Sequence, residues 1–401
     1  MIKLKKDRMT IQIKTFQTGC GDCIFFVIEG DIGRYAMMID CGVFTKEIES
    51  FIRERLGCHI ELLIVTHIDE DHIIGIRDML EQMPELEIGE LWFNSYKRPN
   101  GEEIPLTDRE KLVLKRLYAA NPVMMDIINA KVSARQSLTL SEAILNHANA
   151  KKAWKRERIN TDMGDYSILG GEYGKITILS PREKELEVID EKFKSLFFDF
   201  FHHEHHDVPL EKDDSLYEML QLIANAQDDQ DIDTGEKAAA QTLTRDYLKE
   251  ATRHRVLKSS EANEASIAFV WEKEGTRLLF SGDAAPKIVV ENIAKLYREG
   301  VTRFEAVKIS HHGSSHGTSN ALMRLIDAPH YFFTGGEEDV RPHIDAIARV
   351  ITRELPEWIE QRTLHFNYEN NWTDELKKNQ ELQAAFHYTV DTDSNELNYE
   401  L

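Results

Sequence analysis

Residues 61–66 (ELLIVT) form an apolar run that stops on HIDEDH, so His67, Asp69, Asp71 and His72 crowd into six positions where the hydrophobic pattern ends. Imidazole nitrogens and carboxylate oxygens are the usual donors to Zn²⁺, Mn²⁺ and Fe²⁺, and four of them at this spacing can serve two adjacent ions. In an extended segment leaving a strand, His67 and Asp69 point to the same side. Asp71 and His72 follow as the chain turns into the next helix. A second reading makes the stretch a polar helix N-terminus, with Asp69 as its cap and the histidines exposed.

Three other apolar runs end in the same way. MMIDCG places Asp40 at a strand end before the turn residue Gly42, LLFSGDAAP ends on Asp283, and AVKISHHGSSHGTS ends on His311 and His312. Each pattern alone is weak, but together they require a fold that brings the ends of several strands to one edge. Asp283 is placed where a carboxylate could bridge two ions, and Asp40 where it could orient a ligand histidine by hydrogen bonding.

Short strands alternate with turns and helices through the first hundred residues, at IQIKTF, CIFFVIEG, YAMMIDCG, a helix over 46–56, and ELLIVTH. From 91 to about 158 the periodicity is helical. KITILSP returns to strand, and a charged stretch follows whose acidic middle, about 211–238, is expected to be partly helical at most. Strand patterns resume at SIAFVWEK, TRLLFSGD, EAVKIS, YFFTGG, TLHFN and FHYTVDT. A chain of 401 residues, 42% hydrophobic, can bury one large core with insertions. Seventy acidic against forty-nine basic residues give a net charge of -21, which disfavours general adhesion to nucleic acid or anionic membrane. With neither a signal-peptide pattern nor an apolar span of about 20 residues, a cytoplasmic protein without membrane contact is expected. Cys20, Cys23, Cys41 and Cys58 are too few and too clustered for a disulfide framework, and the Cys20–Cys23 spacing reads as a pair of reduced thiols.

The ordered set of strand ends resembles the metallo-β-lactamase superfamily, and within it the hydrolase domain of ComEC-type competence proteins. That branch carries an aspartate where most relatives have the second histidine of HxHxDH, as Asp69 stands here. Further points of resemblance are TGCGDC (Gly19, Gly21, Asp22), NEAS (Asn263, Ser266), SGD (Ser281 to Asp283), SHHGS (His311 to Ser314) and RPH (His343). The resemblance implies an α/β fold of the four-layer αββα sandwich type with helical insertions. Its first part would span 1–97, a helical insertion 98–165, a return strand 166–185, an acidic and partly helical insertion 186–258, and its second part 259–401. It further implies His67, Asp69, Asp71, His72, Asp283 and His311 as metal ligands, with His312 competing for the last place. His311, directly after the strand, is preferred by register. Asp22, Asp40, Asn263, His312 and Ser314 would support the ligands. No third histidine ligand stands between HIDEDH and Asp283; Asn263 occupies that part of the pattern.

The implied activity is metal-dependent hydrolysis with two divalent ions, Zn²⁺ or Mn²⁺, and Asp69 or Asp71 taking a proton. His343 could protonate a leaving group or simply begin a helix. The expected substrate is a phosphodiester, nucleic acid or nucleotide. Alternatives are an ester, thioester or lactam, or a non-catalytic subunit that binds a protein partner through the insertions. His202, His203, His205 and His206 form a second cluster without a strand to position it, and read as a solvated segment. KKAWKRER around Trp154 could grip a phosphate backbone and stack a base, or form a solvated helix face. Ser266 and Ser314 could touch phosphate or cap turns.

Overall fold

The computed structural model describes residues 9–95, 139–201, 242–254, 259–297, 300–336 and 341–401, together with 107–108, 214–215, 217–218 and 221. The histidine cluster at 202–206, most of 98–138 and the acidic stretch at 222–238 lie outside the described residues. In chain order the first half supplies β1 (Thr10–Thr15), β2 (Ile24–Gly30), β3 (Gly33–Ile39), β4 (His59–Val65) and β5 (Glu87–Phe93). The second supplies β6 (Asp165–Ser167), β7 (Lys175–Ser180), β8 (Ala268–Lys273), β9 (Thr276–Phe280), the short β10 (Thr302–Arg303), β11 (Ala306–Lys308), β12 (Ile326–Asp327), β13 (His330–Phe333), β14 (Arg362–Phe366) and β15 (Tyr388–Asp391), and β16 (Glu396–Glu400) closes the chain.

Two mixed sheets result, ordered β16-β1-β2-β3-β4-β5 and β15-β14-β13-β11-β9-β8-β7-β6. Their interior strands are buried on both faces, which is why they read as unbroken apolar runs. In β4, Leu62 and Ile64 meet β9 residues Leu278 and Phe280 in the core between the sheets, while Leu63 and Val65 pack against helices outside. The helix Glu70–Gln82 supplies Ile73, Ile76, Met79 and Leu80 to that outer core. On the far side, Val289, Ile293, Ile347 and Ile351 cover the second sheet. Three apolar layers thus separate four layers of secondary structure, the α/β sandwich expected.

Several local expectations change. Residues 87–93 are a strand, not the start of a helical region, because Ile88, Leu91 and Phe93 are needed against the outer helices and Trp92 between the sheets. The helical pattern at 140–154 is broken at His147, whose Nδ1 caps a second helix, Ala148–Ala153. Trp154 is neither solvated nor available for base stacking. Its indole donates to the Phe93 carbonyl (3.1 Å), it belongs to the outer core, and Arg156 lies over its ring while pairing with Asp214. Glu183–Phe201 forms one long helix that begins within the expected return strand 166–185 and runs into the stretch expected to be partly helical. Finally, β16 pairs with β1 antiparallel, so the end of the chain returns to the first sheet.

The strand ends that matter are placed by close backbone packing. Gly21 has no room for a side chain, since a Cβ there would lie 1.8 Å from the Asp71 carbonyl oxygen. Gly75, inside the Glu70–Gln82 helix, is pressed against Cys41 and Phe44, and donates its N–H to the Cys41 carbonyl at 2.8 Å. The helix carrying Asp71 and His72 is therefore seated directly on the loop that follows β3. Gly75→Ala should push the two apart, lowering stability by about 2 kcal/mol and weakening metal retention; thermal unfolding of metal-free protein, followed by metal titration, measures both.

Candidate metal centre

β3, β4, β9 and β11 all end at one edge, and their terminal loops converge on Asp283. Its Oδ2 lies 3.9 Å from His67 Nε2, 3.4 Å from His72 Nε2, 3.8 Å from His311 Nε2 and 3.6 Å from His312 Nε2. Asp69 Oδ2 stands 3.2 Å from His67 Nε2, and the two Asp71 oxygens stand 3.8 Å from His72 Nε2 and 3.3 Å from His312 Nε2. Donors bound at about 2.0–2.1 Å around one tetrahedral cation are about 3.3 Å apart, so these separations suit donors that share ions. Among the described residues three groups of donors lie close enough to share an ion: His67, His72 and Asp283; Asp71, His72 and His312; and Asp22, Asp40 and His72.

The back of each imidazole is fixed. Asp40 accepts from the Thr66 N–H and hydroxyl, both at 2.7 Å, and faces His72 Nδ1 at 2.8 Å. Because the Thr66 hydroxyl donates to Asp40, it is an acceptor for His67 Nδ1 at 2.9 Å. His312 Nδ1 faces Asp22 at 3.1 Å and the Thr334 carbonyl at 3.2 Å. All three rings therefore carry their proton on Nδ1 and turn the Nε2 lone pair toward Asp283, the arrangement a metal-ligating histidine requires. Those three Nε2 atoms and Asp283 Oδ1 are buried without a hydrogen-bond partner. Orphaned, preoriented acceptors of this kind fit divalent cations.

Charge leads to the same conclusion. Asp22, Asp40, Asp69, Asp71 and Asp283 lie in and behind this cluster with one buried ammonium, Lys308, which contacts Asp22, lies 3.6 Å from Asp283 Oδ1 and donates to the Gly282 carbonyl at 2.8 Å. Five carboxylates against one lysine leave four negative charges, the charge balanced by two divalent ions. In their absence protons stand in. Burial opposes protonation of His72, but Asp283, Asp71 and Asp40 outweigh it and hold its pKa well above the ordinary value. His312, opposed by burial and favoured by Asp283, Asp22 and Asp71, is pushed up to about 9. Burial works against ionisation of Asp71 and Asp283 too, yet the neighbouring imidazoles keep both well below the usual carboxylate range.

The alternative reading of Asp69 fails: it occupies the N-cap position of the Glu70–Gln82 helix, but its side chain makes no capping bond. The register argument for His311 also fails. β11 stops at Lys308, and His311 and His312 both adopt φ of 53° in the turn Ser310–Gly313. Two successive left-handed residues break strand alternation, and it is His312 that enters the group with Asp71 and His72. His311 flanks Asp283, with Asn263 Nδ2 3.4 Å from its Nδ1. Ser314 contacts His316 Nδ1 (2.8 Å), and Ser266 accepts the Asp283 N–H at 3.0 Å. His343 accepts the Ser315 N–H at Nδ1 (2.9 Å) and donates its own N–H to the Gly313 carbonyl (3.0 Å), which places it behind the turn bearing the two histidines. Its ring proton is thus on Nε2. The CxxC cysteines are free thiols. Lys308 was not singled out from the sequence, although a lysine inside the apolar run AVKIS was the available signal.

Residues 18–88, from the TGCGD turn through HIDEDH into β5, match the family model described as the metallo-beta-lactamase superfamily. The match takes in β2, β3, β4 and the helix Glu70–Gln82 of the α/β sandwich described above. Similar solved structures include the metallo-β-lactamase fold protein YhfI from Bacillus subtilis, at 9% identity and a TM-score of 0.38, covering 99% of this chain and 100% of that one. CmlA, a diiron β-hydroxylase from Streptomyces venezuelae, is similar at 9% identity and a TM-score of 0.36, over 100% of this chain and 55% of that one. A diphosphatase of the PhnP family is similar at 9% identity and a TM-score of 0.34, over 98% of each chain. Comparison with curated protein sequences gives no match. Among the described residues, no helix is long and apolar enough to cross a membrane.

Two outcomes follow from the electrostatics. Replacing Lys308 by Met leaves Asp22 buried beside His312 alone, and should destabilise the metal-free protein by about 3 kcal/mol, read from denaturant unfolding. Because His312 holds a proton up to about pH 9 in the empty site, metal binding should release protons and tighten as pH rises from 7 toward 9, by about tenfold per unit for one displaced proton. Calorimetry in two buffers of different ionisation enthalpy detects that release; its absence would contradict the assignment of His312.

Proposed function

We propose that the protein is a metal-dependent hydrolase acting on a phosphodiester. The observation that carries this reading is the position of Asp283 Oδ2 among four imidazole nitrogens, three of them on rings whose other faces are locked by hydrogen bonds. His67, Asp69 and Asp283 would hold one divalent ion, and Asp71, His72, His312 and Asp283 the other. Two divalent ions so held would supply a water of lowered pKa and stabilise negative charge on a phosphoryl oxygen. Zn²⁺ suits the histidines and Mn²⁺ the carboxylates.

The remaining work falls to the chain. Asp69 and Asp71 are the more exposed carboxylates of the cluster, with side chains 21% and 32% accessible, so they can take the proton lost from an attacking water. His311, 19% accessible where the other three imidazoles are sealed, lies on the open side and is placed to contact the scissile group. Thr66 and Asp40 keep the imidazoles from turning as charge develops. The choice of phosphodiester rests on the resemblance to ComEC-type hydrolase domains; the net charge of -21 favours a short or small substrate over a long duplex, which needs many basic contacts. An intracellular location, a nucleotide substrate and a protein partner for the insertions are further expectations of the same reading.

Elemental analysis of protein purified without chelators, paired with hydrolysis of bis-p-nitrophenyl phosphate, tests it. Asp71→Ala and His312→Ala should lose one ion and nearly all cleavage. His311→Ala should keep both ions while its rate falls by about 10²-fold. Cleavage by Asp71→Ala at the wild-type rate would refute the assignment, and turnover of acyl thioesters or lactams instead would redirect it.

A further inference from the structure

A small, mostly apolar cleft opens beside the metal centre and shares His67 with it. Its walls are Ile68 from the loop after β4, Leu186 and Ile189 from the Glu183–Phe201 helix, Tyr217, and Ala262 and Ala265 near the start of β8. Three of these, Leu186, Ile189 and Tyr217, belong to the acidic segment that interrupts the core fold. That segment is tied down by buried charge: Arg158 pairs with Asp190, Arg156 pairs with Asp214 at 3.2 Å, and Glu218 accepts the backbone N–H groups of Leu140 and Ser141 at 2.6 and 2.9 Å. Tyr217 in turn packs edge-on to Phe193, with ring centroids 4.8 Å apart.

The polar groups in the lining are already engaged. Asn94 donates to the Ile159 carbonyl at 3.0 Å and accepts the Ile159 N–H at 2.8 Å. The Thr66 hydroxyl serves Asp40 and His67, and the Gln221 amide nitrogen donates to the Ile189 carbonyl. A nucleobase in this space would bury ring-edge donors and acceptors with little to meet them, which costs a few kcal/mol for each group. A hydrocarbon ring loses nothing.

Resting on the hydrolase reading above, we propose that this cleft receives an uncharged, apolar group of about phenyl size carried on the phosphate that the metal centre binds. The acidic segment is thereby a specificity wall, and the substrate is a small apolar phosphoester in place of a nucleic acid.

Calorimetry on Mn²⁺-loaded protein, with phenylphosphonate, methylphosphonate and a nucleoside 5′-monophosphate as probes, tests this without turnover. Phenylphosphonate should bind at least about tenfold more tightly than methylphosphonate, as expected for burial of a ring face. Ala262→Leu, which fills the cleft, should bring that ratio to about one while leaving methylphosphonate binding unchanged. Leu186→Asn, which makes the wall polar without filling it, should cut the ratio to below about threefold and stands in if the first variant does not fold. Equal binding of the two phosphonates to wild type, or a nucleotide preferred tenfold over phenylphosphonate, overturns the proposal and leaves the hydrolase reading intact. Failure of the loaded protein to bind any of the three overturns both.

Discussion

Concentrated negative charge governs this molecule. Asp22, Asp40, Asp69, Asp71 and Asp283 meet in a space where most of them are sealed from water, and buried carboxylates are tolerated only where cations or donors compensate them. Lys308 supplies one fixed positive charge at the back, between Asp22 and Asp283. The rest is left to the imidazoles: the surrounding carboxylates hold His72 and His312 above the ordinary histidine range, and divalent ions would take the place of those protons. Folding and metal binding are therefore linked, and the stability of the edge depends on what occupies it.

The architecture serves that edge. Parallel strands from two sheets end together, and each end delivers one or two donors at a separation set by the sheet spacing. Glycines do the final placement: Gly21 and Gly75 let the TGCGD turn, the loop after β3 and the Glu70–Gln82 helix approach until their backbones touch. The same crowding fixes the hydrogen-bond relay from Asp40 through Thr66 to His67, so the orientation of His67 depends on the neighbouring strand end that carries Asp40. Beside this edge, ion pairs between residues far apart in sequence, Arg156 with Asp214 and Arg158 with Asp190, hold further described residues in place.

Much of this was legible from the sequence, and the parts that were not share a cause. Strands buried on both faces announce themselves as apolar runs, and a strand end bearing acids or histidines announces a site, so His67, Asp69, Asp71, His72 and Asp283 could be picked out before any fold was known. The placing of His312 beside Asp71 and His72 could not be foreseen, because two consecutive residues with positive φ carry no signal in SHHG and break the alternation on which register arguments rest. Lys308 hides as one polar residue in a short strand. β16 was missed because NELNYE is an edge strand with little apolar content, and its pairing with β1 is a contact across the whole chain. Trp154 looked like a nucleic-acid element from its basic neighbours, although the ring is spent on the core and the arginines on buried carboxylates.

Anomalous diffraction from crystals soaked in Mn²⁺ probes the centre most directly. Two peaks about 3.5–4 Å apart, one on each side of the Asp283 carboxylate with His67 and His312 on opposite ions, are the predicted result. A single peak remote from Asp283, or none at this edge in fully folded protein, would contradict the account.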